Sequence, residues 1–341
     1  YLVPEHIFNQ FETVEAVQEF MQWDPDNGVY GVFTGPYLLT RTEEAFCEWQ
    51  LRYDWWAMDI GLVDRMPWPE AVTGIPRPAD DVAAQLAVND EIDSTMGLSP
   101  GVVKAVLQQD AELDHVQFHT GLQPPYGYVD WWPVSLWINN LEEPYTDPRV
   151  RWALAKCIDQ ETLVSVAWEN AGTVSQTPFP NYPGLMDYMN DSGFQEVLQE
   201  YNVLEQDYEE VDRLMTDAGF TKDADGFWID AEGNRPDSDV YGAVPLFADL
   251  APVVAEMLRQ GGFDSSHAVP PDIWTLKGNG QALLHFFGHG GSVKEPYTTL
   301  DMYHSRWVRP TGETAAGGNR ARWGNEEYDA IIEEMSRTSP D

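Results

Sequence analysis

Lysine is almost missing from this sequence. Only Lys104, Lys156, Lys222, Lys277 and Lys294 occur, and with the arginines they make 19 basic residues against 57 acidic ones, a net charge of −38. A surface this acidic repels phosphate backbones and anionic headgroups, so nucleic acid and membrane surfaces are poor partners. Abundant carboxylate with little lysine also predicts adaptation to high salt, where self-repulsion is screened. Cysteine is equally scarce. Cys47 and Cys157 cannot build a disulfide framework, and nothing in the pattern requires them to pair. No apolar run reaches the roughly 20 residues of a membrane-spanning helix. No basic-then-apolar leader pattern is visible from Tyr1 onward.

What is present is a chain of 341 residues, 43% hydrophobic, long enough to bury one large core or two. The clearest local signal runs from Ser135 to Asp159. An apolar strand around Val134 to Ile138 leads through a proline-bearing turn into a helix. Asp147 is placed to N-cap that helix, with Pro148 at its first position, where a missing N–H costs nothing. Val150, Ala153, Leu154, Cys157 and Ile158 then recur at helical spacing and predict one buried stripe.

Further elements follow the same logic. Tyr208 to Ala218 places Val211, Leu214, Met215 and Ala218 on one helical face, with Gly219 as a stop signal. Asp249 is expected to cap a helix bearing Leu250, Val253, Val254, Met257 and Leu258. Between them, DADGFWIDAEGN reads as a hairpin with turns at Asp225-Gly226 and Glu232-Gly233. Near the start, PEHIF opens a short helix, Thr13 to Met21 continues at helical spacing, and FTGPYLLTR turns into a strand. Strands alternating with helices define an α/β class.

Several of these segments, in order, resemble one family. SLWINNLEEPYTDPRVRWALAKCID resembles an "N…PPF-D-RVR-A-…-A-ID" element. PEHIF, FTGPYLL (Phe33 to Leu39), RYDWWA (Arg52 to Ala57), Asp93 within NDEID, the helix ending at Ala218-Gly219-Phe220 with its following DGFW, and WGNEEYDAII (Trp323 to Ile332) resemble further elements of it. The family is the extracellular solute-binding proteins of ABC importers, family 5, of the peptide/nickel/oligosaccharide type. The resemblance implies an α/β, two-lobed, periplasmic binding protein-like type II fold with an incomplete first lobe. Residues 1–137 would form the later part of lobe I. Residues 138–341 would form lobe II, the solute-binding lobe, truncated before its return to lobe I. It implies capture of a small-molecule solute by hinge closure and delivery to ABC transporter permease subunits. The implied protein is a monomer, periplasmic or extracytoplasmic, with a lipid anchor as one option, and has no catalytic residue, metal or cofactor.

The resemblance also bears on the solute. Peptide-binding members carry "W-x-x-D-x-x-x-P", whose Asp pairs with the peptide's α-amino group. Here, counting back from Pro296, Ser292 stands at that position, and a hydroxyl cannot offset the desolvation of an ammonium, although Glu295 is near. RPTGETAAGGNRARWGN (Arg309 to Asn325) is similar to a segment of oligosaccharide-binding relatives. The chain also holds 14 Trp and 15 Tyr, and flat rings stack on the apolar faces of sugars. An oligosaccharide or glycoside is therefore the first expectation and an oligopeptide the second. The candidate ligand-binding residues are Trp131, Trp132, Trp137, Trp274, Phe286, His289 and Ser292, with Trp152 assigned to packing. Most tryptophans in such a fold are core, so each carries that plainer reading as well.

Other chemistry is weaker. His285 and His289 have the spacing of two helical metal ligands, but HFFGH lacks the Glu of H-E-x-x-H and its glycines favour a strand end and turn. DADG lacks the acidic positions of a calcium loop, and GNG at Gly278 lacks the form of a phosphate cradle. A carbohydrate hydrolase remains the rival class, with only the aromatic content behind it.

Overall fold

The computed structural model describes residues 4–13, 16–17, 20, 23–27, 31–109, 116–243, 247–288, 290–315 and 318–339. The chain divides into two compact units, Tyr1–Ala79 and Asp80–Asp341.

The first unit is built on three antiparallel strands in the order β1 (Tyr37–Glu43), β2 (Phe46–Leu51) and β3 (Ala71–Gly74). A register shift between Leu39 and Arg41 bends β1. Two of the recognised motifs meet here. The indole N–H groups of Trp55 and Trp56 both donate to the Thr34 carbonyl, at 2.9 and 2.8 Å. RYDWWA thus fastens the turn that launches β1. PEHIF forms the expected short helix at Glu5–Phe8, whereas the helical reading of Thr13 to Met21 lies partly outside the described residues.

The second unit opens with α1 (Asp80–Val88) and α2 (Pro100–Gln109), which pack together. Its main sheet has the order β4-β9-β7-β8, with β4 at Val134–Ile138, β7 at Val240–Tyr241, β8 at His267–Ala268 and β9 at Leu284–Gly288. β4 is antiparallel to β9, while β9, β7 and β8 run parallel. Between β4 and β7 lie α3 (Pro148–Lys156), α4 (Gln160–Ala167) and α5 (Tyr208–Asp217). α6 (Leu250–Gln260) crosses from β7 to β8 and α7 (Ile273–Gly278) from β8 to β9, which parallel pairing requires. The predicted hairpin is present as β5 (Thr221–Lys222) and β6 (Trp228–Ile229), with Gly226 at φ +88°, where a side chain would be strained.

Local chemistry explains these elements. The Asp147 carboxylate accepts from the Arg149 N–H at 2.8 Å and caps α3. Val150, Ala153, Leu154 and Cys157 are fully buried, and α3 packs on α5 through Val211, Leu214 and Met215. Burial pushes the Cys157 thiol well above its ordinary range, so it behaves as a small apolar group, and both cysteines are free. Asp249 departs from expectation. Its side chain makes no capping bond, because the chain is already helical at Phe247 and Ala248 and leaves no orphaned donor there.

Candidate ligand site

Parallel strands flanked by crossovers leave a crevice beyond their carboxyl ends, where ligands of α/β proteins bind. In this sheet that end lies after Tyr241 of β7 and Gly288 of β9. The register Val134↔Gly288 brings the residues just before β4 to the same place. Trp131 and Trp132 are therefore delivered to the carboxyl end of β9 by strand pairing.

A ring cluster is centred there on Phe287. The Trp132 ring meets Phe287 edge-on at 4.6 Å, and Trp274 of α7 does so at 5.9 Å. Phe247 closes the other side, 6.3 Å from Phe287 and 6.4 Å from Trp132, and Trp131 leans on Trp132 at 6.4 Å. Trp132 and Phe287 are half-buried, while Trp131 and Trp274 keep 48% and 51% of their surface exposed. Two rings are therefore held from behind and open in front. Gly288 makes the arrangement feasible, since any Cβ at that position would overlap the Trp132 indole.

The electrostatics are one-sided. The Lys277 ammonium lies 3.3 Å from the centre of the Trp274 ring and 3.4 Å from that of Phe287. The residue is 1% exposed, and its Nζ has no hydrogen-bond partner. The Arg320 guanidinium stacks over Phe287 at 4.3 Å. Burial first, and then the neighbouring Arg320 charge, hold Lys277 down at about 7. Beneath them His285 is buried, with Nδ1 2.9 Å from the Ala282 carbonyl, and burial holds it at about 3, so it is neutral.

The other candidates take different places. Strand alternation sends Leu284 and Phe286 to one face of β9 and His285 and Phe287 to the other. Phe286 is a buried member of the core, and Phe287 is the ring at the site. Trp137 is buried. Its indole N–H donates to the Phe287 carbonyl at 3.1 Å and its ring stacks on Tyr303 at 5.8 Å. It also borders a cavity of about 460 Å³ beside β4, with Trp152, Tyr303 and Trp323. Ser292 is buried, and its Oγ accepts from the Thr299 N–H at 2.9 Å while Thr299 Oγ1 accepts from the Ser292 N–H at 3.2 Å. That exchange fixes α8 (Tyr297–Leu300), and Glu295 is likewise held by the Tyr297 N–H and the Thr298 hydroxyl. His289 lies outside the described residues. Sequence reasoning missed Phe287, Lys277 and Arg320. A lysine inside an apolar segment of a chain so poor in lysine was the available signal.

The loop resembling oligosaccharide-binding relatives is organised by a buried arginine. The Arg322 guanidinium donates to the carbonyls of Arg309, Pro310, Gly278 and Glu313, and Gly280, at φ +81°, makes room for it. Asn139 pins the end of β4 to the same region, donating to the Gly280 carbonyl at 2.8 Å and Thr311 Oγ1 at 3.0 Å. These bonds set the position of Arg320. Among the described residues, no group of His, Cys, Asp and Glu is arranged to hold a metal ion, and no helix is long and apolar enough to cross a membrane.

Fold and ring cluster together define an α/β chain with a cation-backed aromatic face at the carboxyl end of β9. The chain belongs to the bacterial extracellular solute-binding proteins, family 5 (Middle), whose family model matches residues 3–308. No curated protein matches it. Among solved structures it is similar to a periplasmic oligopeptide-binding protein of an ABC transporter from Thermotoga maritima, at 23% identity and TM-score 0.79, covering 99% of this chain and 60% of that one. A mannohexaose-bound form of that protein gives 23% identity and TM-score 0.78, over 100% and 60%. AppA from Bacillus subtilis in complex with a nonapeptide is 16% identical, with TM-score 0.71 over 99% and 60%. NikZ from Campylobacter jejuni in complex with Ni(L-His) is 17% identical, with the same score and coverage. At these identities the likeness speaks for the fold, and the chain spans about 60% of the length of each of these relatives.

Proposed function

We propose that this protein is the substrate-binding component of an ABC importer. It captures an organic solute outside the cytoplasm and delivers it unchanged to permease subunits. The observation that carries the reading is the pair of exposed indoles, Trp131 and Trp274, braced around Phe287 beyond the carboxyl end of β9. Trp131, Trp132, Trp274 and Phe287 are the contact surface, and Trp137 and Phe286 support it from within. Residues 1–137 are the later part of lobe I and residues 138–341 form lobe II. The ligand acts by favouring a closed arrangement of the lobes in which it has more contacts.

The favoured solute is an oligosaccharide or glycoside. Ring faces suit sugars, and the Thermotoga maritima relative binds mannohexaose. Ser292 and Glu295 are engaged in internal bonds around α8, which weakens the case for holding a peptide's free amine. An oligopeptide is the second reading, favoured by the nonapeptide complex of AppA. Titration calorimetry of the 341-residue chain with a xylo- or cello-oligosaccharide against a tripeptide tests both. Saccharide binding that Trp274→Ala weakens supports the first. Binding of the tripeptide alone replaces it with the second. Turnover of either ligand overturns the transport reading.

A further inference from the structure

A chain with three carboxylates for each basic residue should surround every cation with acids. Most cations here obey. Arg52 meets Asp54, Lys222 meets Asp212, and Arg235 meets Asp223, Asp225 and Asp264. Where no ion pair forms, carbonyls serve instead and acids stand nearby, as they do for Arg151 and Arg322. Lys277 and Arg320, both withdrawn from solvent, break the rule. Among the described residues neither forms an ion pair, and their closest contacts are the ring faces of Trp274 and Phe287.

Two cations packed together without an acid repel each other and have lost water. Ring faces return part of that cost. They cannot neutralise charge. An anionic group arriving beside Arg320 would do so, and in a low-dielectric setting its bond would be strong. Lys277 is sealed from solvent and Arg320 is half-buried, so Arg320 makes the direct contact and Lys277 supplies charge from below. The protein's overall charge of −38 works against anions at long range. Within a Debye length of about 8 to 10 Å, or less in concentrated salt, local charge decides.

We propose that the solute carries a carboxylate, and that Lys277 and Arg320 form the subsite that selects it, beside the ring faces that hold its apolar part. This rests on the reading of the ring cluster as a solute site. A uronic acid unit in a saccharide and the terminal carboxylate of a peptide both supply the required group, and the experiment separates them.

The test compares matched probes on the full 341-residue chain by titration calorimetry at pH 6, where Lys277 carries its proton. One pair is a galacturonate trimer against cellotriose, and the other is trialanine against its C-terminal amide. Within one pair, the carboxylate member should bind about tenfold or more tightly, the scale of one charge-assisted hydrogen bond. Arg320→Gln should bring that ratio to near one, and Lys277→Met should reduce it through lost charge alone. Lys277→Met replaces a buried ammonium by an apolar chain of similar length, so the fold is retained in at least that variant. The pair showing the preference identifies the source of the carboxylate. Equal binding within both pairs overturns the anionic subsite and leaves solute capture standing. No binding by any of the four probes overturns both.

Discussion

Replacing Lys277 by methionine should stabilise the protein, and by an amount that depends on pH. The ammonium is 1% exposed, its Nζ donates no hydrogen bond, and its charged neighbour Arg320 has the same sign. His285 is close but neutral, since burial holds it at about 3. Burial lowers Lys277 from 10.5 in a free side chain to about 7. Below pH 7 both the folded and the unfolded chain carry the proton, and the folded state bears the full cost of the buried charge. Between about 7 and 10.5 the unfolded chain binds the proton and the folded one does not, so wild-type stability rises with pH by up to about 1.4 kcal/mol per unit. The methionine variant has no such group. Its advantage should be a few kcal/mol at pH 6, shrink above pH 7, and level off near 10.5. Urea melts of both proteins at pH 6, 7, 8 and 9 measure the difference directly. A wild-type-minus-variant gap that stays constant over that range refutes the reasoning, because the charge would then not be opposed by burial.

Other perturbations test separate links. Gly288→Ala should cost about 1 to 3 kcal/mol, because the new methyl overlaps the Trp132 ring, and should quench or shift tryptophan emission as the cluster rearranges. Leu154→Ala removes a fully buried side chain from the α3–α5 contact and should cost about 2 to 5 kcal/mol in a urea melt. Stability in urea should rise between low and molar NaCl as the net charge of −38 is screened, and an unchanged midpoint would contradict the high-salt reading. Asp147→Ala should cost about 1 kcal/mol through the lost cap, whereas Asp249→Ala should cost almost nothing.

These contrasts show which parts of the molecule are written locally in the sequence. β4 was readable to the residue, since its apolar run ends where a proline-bearing turn begins. The α3 cap was readable because an Asp-Pro step satisfies one orphaned donor and removes another. Asp249 misled because a capping residue acts only if the chain before it is not helical, and the turn at Phe247 and Ala248 already is. The choice of Phe286 over Phe287 failed for a related reason. Parity along a strand is invisible until one neighbour's face is known, and here the pairing of β4 with β9 and the packing of α6 decide it.

The charge at the site was hidden more deeply. Lys277 closes a short helix, and Arg320 sits on a loop whose course is fixed by Arg322 through carbonyls far apart in the chain. Arg320 and Arg322 both lie within the segment, Arg309 to Asn325, that resembles oligosaccharide-binding relatives. In the structure the Arg322 guanidinium bonds to the carbonyls that hold the loop, and Arg320 faces the Phe287 ring. Two arginines of one motif thus do different things: Arg322 holds the loop and Arg320 meets the Phe287 ring. The corollary can be measured. Arg322→Gln should lower stability through carbonyls left without donors in a buried loop, whereas Arg320→Gln should leave the urea midpoint near that of wild type or raise it, since it removes one of two facing cations. If the two substitutions have equal effects on the midpoint, this division of labour between them is mistaken.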